Sequence, residues 1–220
     1  MKTALLIPHR NDRPAFLDHL KYMISQQTIQ PDIVLFVDYE PESPEKDITQ
    51  RYRRGYDQLR YQNIDAILFM EVDDYYHPTY IETMVTEWQK HGSPDLFGTS
   101  YTYYYHIGIR KCFRMSHAQR SSAMSTLIRP DLSIKWCPDS EPYTDSHLWM
   151  VSGLKGVVFT PKQHICVGIK HDSGVLTGGN MHIDRLHRYD VHGFSDPECE
   201  WLGNIVDKKS LDFYKNFKSR

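Results

Sequence analysis

The chain has 220 residues, of which 25% are charged and 40% hydrophobic, and a formal net charge of −2. That length suits one domain with a core of its own, and the composition is that of a globular protein rather than a disordered or fibrous one. So small a net charge gives no general attraction to nucleic acid or anionic membrane, and no run approaches the roughly 18 apolar residues of a membrane span.

The four cysteines, Cys112, Cys137, Cys166 and Cys199, are widely spaced and form no C-x-x-C pair, so they read as free thiols in a reducing compartment rather than as a zinc site. The apolar run Ala4-Leu5-Leu6-Ile7 is too short for a secretory signal and lacks a small-residue cleavage site, which sets the expectation of a cytoplasmic protein. Charge is uneven along the chain. Residues 38–47 hold five acids against one lysine, whereas residues 96–130 hold no acid but include Arg110, Lys111, Arg114, Arg120 and Arg129.

In chain order, residues 4–7 predict a buried strand stopped by Pro8, followed by the polar loop His9-Arg10-Asn11-Asp12-Arg13. Pro14 suits the first turn of a helix, where its missing N–H costs nothing. Phe16, Leu17, Leu20, Met23 and Ile24 then recur at helical spacing. Residues 33–37 predict a second buried strand, with Asp38 at its exit, and an acidic, proline-containing loop follows. A helix carries Ile48, Tyr52, Tyr56 and Leu59 on one side, with Gly55 marking a bend or end. Residues 66–70 predict a third strand, and Pro78 opens a helix that stops at Gly92. This β-α-β-α-β-α order predicts an α/β fold, a mainly parallel sheet with helices on both faces and strand exits along one edge.

Beyond Asp95 the pattern changes to a short β-rich region. Residues 96–105 read as one strand crowded with Tyr101, Tyr103, Tyr104 and Tyr105, and residues 108–115 as its hairpin partner. Residues 121–128 are small and apolar. Residues 144–150 predict a helix start, and residues 156–160 and 165–169 two further strands. A Gly-rich loop spans residues 173–179 and leads to His182. We expect a single domain over residues 1–220, with an α/β part at 1–95, a β-rich part at 96–182 and a tail at 183–220.

The stretch Glu71-Val72-Asp73-Asp74 draws the chemistry together. Crowded carboxylates repel one another, and a hard divalent cation such as Mg²⁺ or Mn²⁺ relieves that repulsion while binding phosphate oxygens. Open α/β sheets bind ligands beyond the carboxyl ends of their strands. The same acids also fit a solvated turn ahead of the helix that begins near Pro78.

Several blocks resemble the family 2 glycosyltransferases of the GT-A fold. They are Ile7-Pro8 with Asn11-Asp12-Arg13-Pro14-Ala15-Phe16-Leu17, Ser25-Gln26-Gln27-Thr28, Val37-Asp38 and Arg54-Gly55. Ala66-Ile67-Leu68-Phe69-Met70-Glu71-Val72-Asp73-Asp74 resembles the stretch around the family's D-x-D motif. Tyr143-Thr144-Asp145-Ser146-His147-Leu148-Trp149 resembles the segment carrying the base, and Val167-Gly168-Ile169-Lys170-His171 a late strand ending in histidine. Three positions depart from the pattern: Glu71 stands for the first Asp of D-x-D, Tyr39 for a second Asp after the second strand, and Thr144 for a Glu before the base.

The resemblance implies a metal-dependent inverting glycosyltransferase using Mn²⁺ or Mg²⁺, a nucleotide-sugar donor, most often UDP-linked, and an acceptor hydroxyl on a glycan or other molecule. It assigns donor binding to Pro8, His9, Arg10, Asn11, Asp38, Glu71, Val72 and Asp73. The metal falls to Asp73, Asp74 and His171, with His182 a second contender, and the role of general base to Asp145. The tyrosines and the basic stretch would face the acceptor, which leaves hydroxylated DNA open. Two other readings stand beside this one: a non-catalytic sugar- or nucleic-acid-binding module, and a sugar nucleotidyltransferase. The latter's Gly-rich loop is missing after the first strand, where His9-Arg10-Asn11-Asp12 stands.

Overall fold

A computed structural model describes residues 1–40, 47–116, 118–139, 141, 143–171 and 193–217. Strands β1 (Thr3–Pro8), β2 (Ile33–Val37) and β3 (Ala66–Phe69) form a parallel set with β1 in the middle, Ala4 facing Ile33 on one side and Ile67 on the other. Pro8 closes β1 instead of preceding its end, opposite Val37. Strands β4 (Tyr75–Tyr76), β5 (Leu96–Thr99), β6 (Tyr101–His106), β7 (Lys111–Ser116), β8 (Thr126–Ile128), β9 (Gly156–Phe159), β10 (Cys166–Lys170) and β11 (Phe194–Ser195) complete two sheets. The larger runs β2-β1-β3-β8-β5-β9 and the smaller β11-β7-β6-β10-β4. In the larger sheet β8 is antiparallel to both of its neighbours, β3 and β5, while β5 and β9 pair in parallel.

Strand alternation sorts the side chains into two cores. Leu5, Ile7 and Leu68 point to one face, where helices α1 (Pro14–Ser25) and α3 (Tyr80–Lys90) contribute Phe16, Leu20, Ile81 and Met84. Ala4, Leu6, Ile67 and Phe69 point to the other, covered by Tyr52, Tyr56 and Leu59 of helix α2 (Ile48–Leu59) and by Leu148 and Trp149 of helix α4 (Thr144–Met150). Helices therefore cover both faces, as the sequence predicts.

Two expectations change. Residues 96–105 are not one strand: β5 ends at Thr99, and β6 begins at Tyr101 in the other sheet. The crossing was hidden because no acid, lysine, arginine or proline marks a break between the two strands. Gly55 does not end α2 but sits in its interior, where a Cβ would lie 2.8 Å from Leu6 Cγ and 2.8 Å from Val37 Cγ2. The missing side chain lets α2 lie close on β1 and β2.

The end of the chain folds back onto the front. Short helix α5 (Glu200–Gly203) leads to α6 (Lys208–Asn216), whose N-cap Asp207 accepts a hydrogen bond from Ser210 N–H and another, at 3.2 Å, from the Tyr22 hydroxyl. Phe213 and Phe217 then pack against Phe16 of α1. Among the described residues no helix is long and apolar enough to cross a membrane.

Because the space beside Gly55 is filled on two sides by buried side chains, Gly55→Val should lower the free energy of unfolding by about 2 kcal/mol, the usual scale of overpacking a core. Urea denaturation measures this, and an unchanged midpoint would show that α2 can lift away without cost.

Candidate active site

The chain leaves β3 at Met70 and turns through Glu71, Asp73 and Asp74 before entering β4. One carboxylate oxygen from each of the three acids lies within 4.8 Å of the others. Each acid is held differently. Glu71 accepts a hydrogen bond from the Tyr52 hydroxyl at 3.2 Å, and its own backbone N–H donates to the Tyr76 hydroxyl at 2.7 Å. Asp73 Oδ2 is paired with the Arg13 guanidinium and lies 3.0 Å from His171 Nε2. Asp74 is 1% exposed; its Oδ1 accepts the Ile169 N–H at 2.8 Å, and its Oδ2 has no hydrogen-bond partner among the described residues.

Charge compensation decides which acids ionise readily. Burial pushes Asp73 upward, but Arg13, His171 and Lys170 together outweigh it and hold the carboxyl well below the usual carboxylate range. Burial drives Asp74 well above that range and Glu71 above it as well, with Lys170 opposing and the neighbouring acids adding to the rise. Lys170 is itself buried, which favours its neutral form; the carboxylates of Asp74, Asp73 and Glu71 reverse this and keep the ammonium charged. Its Nζ stands 5.1 Å from the ring centroid of Tyr104. Lys170 ends β10, between Ile169, which binds Asp74, and His171, which touches Asp73. The second sheet thus supplies the counter-charge for acids carried by the first.

Asp145 lies in the first turn of α4 and is paired with Arg120. Burial raises its carboxyl against the pull of Arg120. Its carboxylate is near enough to Glu71, Tyr52 and Tyr104 to favour their protonated forms, which sets it toward the acidic turn.

The loops after β1 and β2 form another part of the rim. Pro8 is buried at the end of β1, and the His9 N–H donates to the Val37 carbonyl at 3.1 Å. Burial lowers the His9 imidazole. Asn11 adopts a left-handed backbone at φ 60°, tolerable for asparagine, and its amide donates to the Asp38 carbonyl at 3.2 Å. Asp38 is exposed beside Asn11 and His9. Arg10 is ion-paired with Asp47 at 3.3 Å.

Among the residues expected from sequence, Glu71, Asp73 and Asp74 come together, His171 touches Asp73, and Asp145 lies near enough to act electrostatically on Glu71. Val72 does not offer its side chain there, because it packs into the core, 6% exposed, and only its backbone is left for a ligand. His171 is stacked on Phe16, ring centroids 4.3 Å apart, with Nε2 turned to Asp73. His182 and the loop 173–179 lie outside the described residues. The tyrosine run divides by alternation: Tyr103 and Tyr105 pack toward Trp201 with Tyr101 edge-on to Tyr103, whereas Tyr104 turns to Ser122 and Lys170. Sequence reasoning gave no role to Lys170, Arg13 or Tyr52. A lysine closing an apolar strand next to the late histidine was the one visible signal, since a charge in such a run needs a partner.

No protein-family model matches the sequence, and no curated protein matches it. Solved structures do share its architecture. Residues 1–349 of S. aureus TarS in complex with UDP-GlcNAc superpose with a TM-score of 0.56 over 79% of this chain and 60% of that one, at 9% identity. The same fragment with UDP gives 0.51 over 77% and 60%, at 11% identity. The chain has a GT-A-like glycosyltransferase fold. A further TarS structure gives a TM-score of 0.52 at 12% identity, with 37% of that chain covered. This GT-A-like chain therefore spans well under two thirds of the TarS chains it resembles.

The Asp74 carboxyl titrates higher in the folded chain than in the unfolded one. The folded state then binds more protons above the ordinary carboxylate range, and stability contributed by this group falls as pH rises. Asp74→Asn removes that penalty while keeping an acceptor for the Ile169 N–H. Thermal unfolding should show the variant more stable than wild type at pH 8, with the difference shrinking toward pH 4; a difference that grows on acidification contradicts this.

Proposed function

We propose that this chain is an inverting glycosyltransferase that moves a sugar from a nucleotide-sugar, UDP-linked, to an acceptor hydroxyl. The observation that carries this reading is the acidic turn after β3, where one carboxylate oxygen from each of Glu71, Asp73 and Asp74 lies within 4.8 Å of the others. The UDP-GlcNAc and UDP bound by the TarS structures of the same fold support the choice of donor. We assign residues 1–95 chiefly to the donor and residues 96–182 chiefly to the acceptor.

The loops after β1 and β2, with His9, Arg10, Asn11 and Asp38, would receive the nucleoside. Asp38 offers an acceptor for a base N–H. Glu71 lies nearer the ribose side, fixed by Tyr52. The cluster also fits a divalent cation: three hard oxygen donors stand within 4.8 Å, and the buried Asp74 Oδ2 has an unmatched lone pair. Asp73 and Asp74 would hold Mn²⁺ or Mg²⁺, with His171 orienting Asp73 or adding a nitrogen ligand. When bound, such an ion neutralises charge that develops on a departing diphosphate. Lys170 and Arg13 are permanent cations at the same place, so part of that task belongs to the protein itself.

Asp145 takes the proton of the acceptor hydroxyl. The acceptor oxygen forms its bond to the anomeric carbon as the bond from that carbon to the diphosphate oxygen breaks, on the opposite face, so the configuration inverts. An elevated carboxyl suits a base that must hold the proton once it has it. Arg120, paired with Asp145, keeps its carboxylate in place.

A donor-hydrolysis screen over nucleotide sugars, followed by transfer trials with glycan acceptors, tests the reading. Asp145→Asn should reduce transfer by about 10²–10⁴-fold, the usual worth of a general base, while calorimetry finds UDP affinity unchanged. Parallel loss of both would make Asp145 a structural residue, and no turnover of any nucleotide sugar would remove the enzyme assignment.

A further inference from the structure

Arg51 is the most completely enclosed cation among the described residues, 1% exposed and sited on the inner side of α2. A buried guanidinium is tolerated only when its donors are matched. Here Nε donates to Asp47 Oδ2 at 2.9 Å and Nη2 reaches the same oxygen at 2.8 Å. Nη1 donates to the carbonyls of His9 and, at 2.8 Å, Val37, and Nη2 to the carbonyl of Tyr39 at 2.9 Å. The guanidinium carbon also lies 4.3 Å from the Tyr39 ring centroid, and that of Arg54 4.1 Å.

The three carbonyls are not a random set. Val37 ends β2, Tyr39 lies just beyond it, and His9 lies just beyond β1. One planar fork therefore ties together the two loops that leave adjacent parallel strands, and their separation is set by the geometry of a single side chain. Asp47 extends the arrangement, because its other oxygen holds Arg10 at 3.3 Å. Lysine cannot reproduce this, having one compact charge and no fork.

We propose that Arg51 is a positioning residue for the nucleotide. It fixes the spacing of the loops that receive the nucleoside and, through Asp47, the place of the Arg10 guanidinium that meets the diphosphate. The inference rests on the glycosyltransferase reading above. It adds that donor affinity is governed from beneath the pocket by a side chain that never touches the donor.

The test compares wild type, Arg51→Lys and Asp47→Asn by UDP calorimetry in the presence of Mn²⁺, with circular dichroism for folding and steady-state kinetics for turnover. Wild type should bind UDP. The folded variants should bind it about tenfold or more weakly, since small displacements of positioning groups carry large penalties. Their KM for donor should rise by a similar factor, while kcat at saturating donor stays within about threefold; a general loss of structure would lower both. A folded variant with wild-type UDP affinity overturns the proposal, as does failure of both variants to fold, which would make Arg51 a brace of the fold alone. Wild type that binds no UDP removes the donor reading itself, and is recognised before any substitution is made.

Discussion

The site depends on how three crowded carboxylates, Asp74 buried and Glu71 and Asp73 half-buried, are kept from repelling each other. Taking even one ion out of water costs several kcal/mol unless its charge is matched. Glu71, Asp73 and Asp74 are matched by Arg13 from the loop before α1, Lys170 and His171 from the exit of β10, and hydrogen bonds from Tyr52 and the Ile169 backbone. The acids belong to the large sheet and the cations largely to other elements, so the cluster is also a joint. It can exist only when β10 lies against the turn that follows β3. The C-terminal helix contributes at one remove, because Phe217 and Phe213 press on Phe16, against which His171 is stacked.

The three departures from the family pattern each acquire a local physical reason. Glu71, one methylene longer than aspartate, reaches the Tyr52 hydroxyl on α2. Tyr39 offers its ring to two guanidiniums and its hydroxyl to Gln50 at 2.8 Å, so the loop after β2 is held by cations where an acid would otherwise stand. Thr144 shares a hydrogen bond with the Thr49 hydroxyl, which ties the start of α4 to α2. All three contacts run to α2. That helix, drawn close by the absence of a side chain at Gly55, connects the loops after β1 and β2, the acidic turn and the segment carrying Asp145.

Much of this could be read in the amino-acid order, for identifiable reasons. Buried parallel strands have to be apolar on both faces, so residues 4–7 and 66–70 stood out. Residues 33–37 are as apolar and do form a strand, but β2 lies at the sheet edge with only Val37 buried rather than inside as expected. Asp38 and the acidic turn followed from where these strands stop. Pro14 and Gly92 marked helix limits through backbone chemistry that holds in any context. What stayed hidden was tertiary. Leu96 to His106 holds no acid, lysine, arginine or proline, and nothing local says that Ser100 divides two sheets. Val72 stands between acids yet faces the core, because the chain keeps the alternation of Ala66, Leu68 and Met70 onto that face. Lys170 gains its meaning from acids almost a hundred positions earlier, and Arg51 from carbonyls, which sequence does not display at all.

The central claim is that this pre-compensated cluster still seeks one divalent cation together with a nucleoside diphosphate. Titration of UDP into the wild-type protein with and without Mn²⁺ tests it most directly. The account predicts binding strengthened about tenfold or more by the cation, with heat from Mn²⁺ that Asp73→Asn abolishes. UDP affinity that is identical in the presence of a chelator would contradict it and leave the diphosphate to the protein's own cations, Arg13 and Lys170 among them.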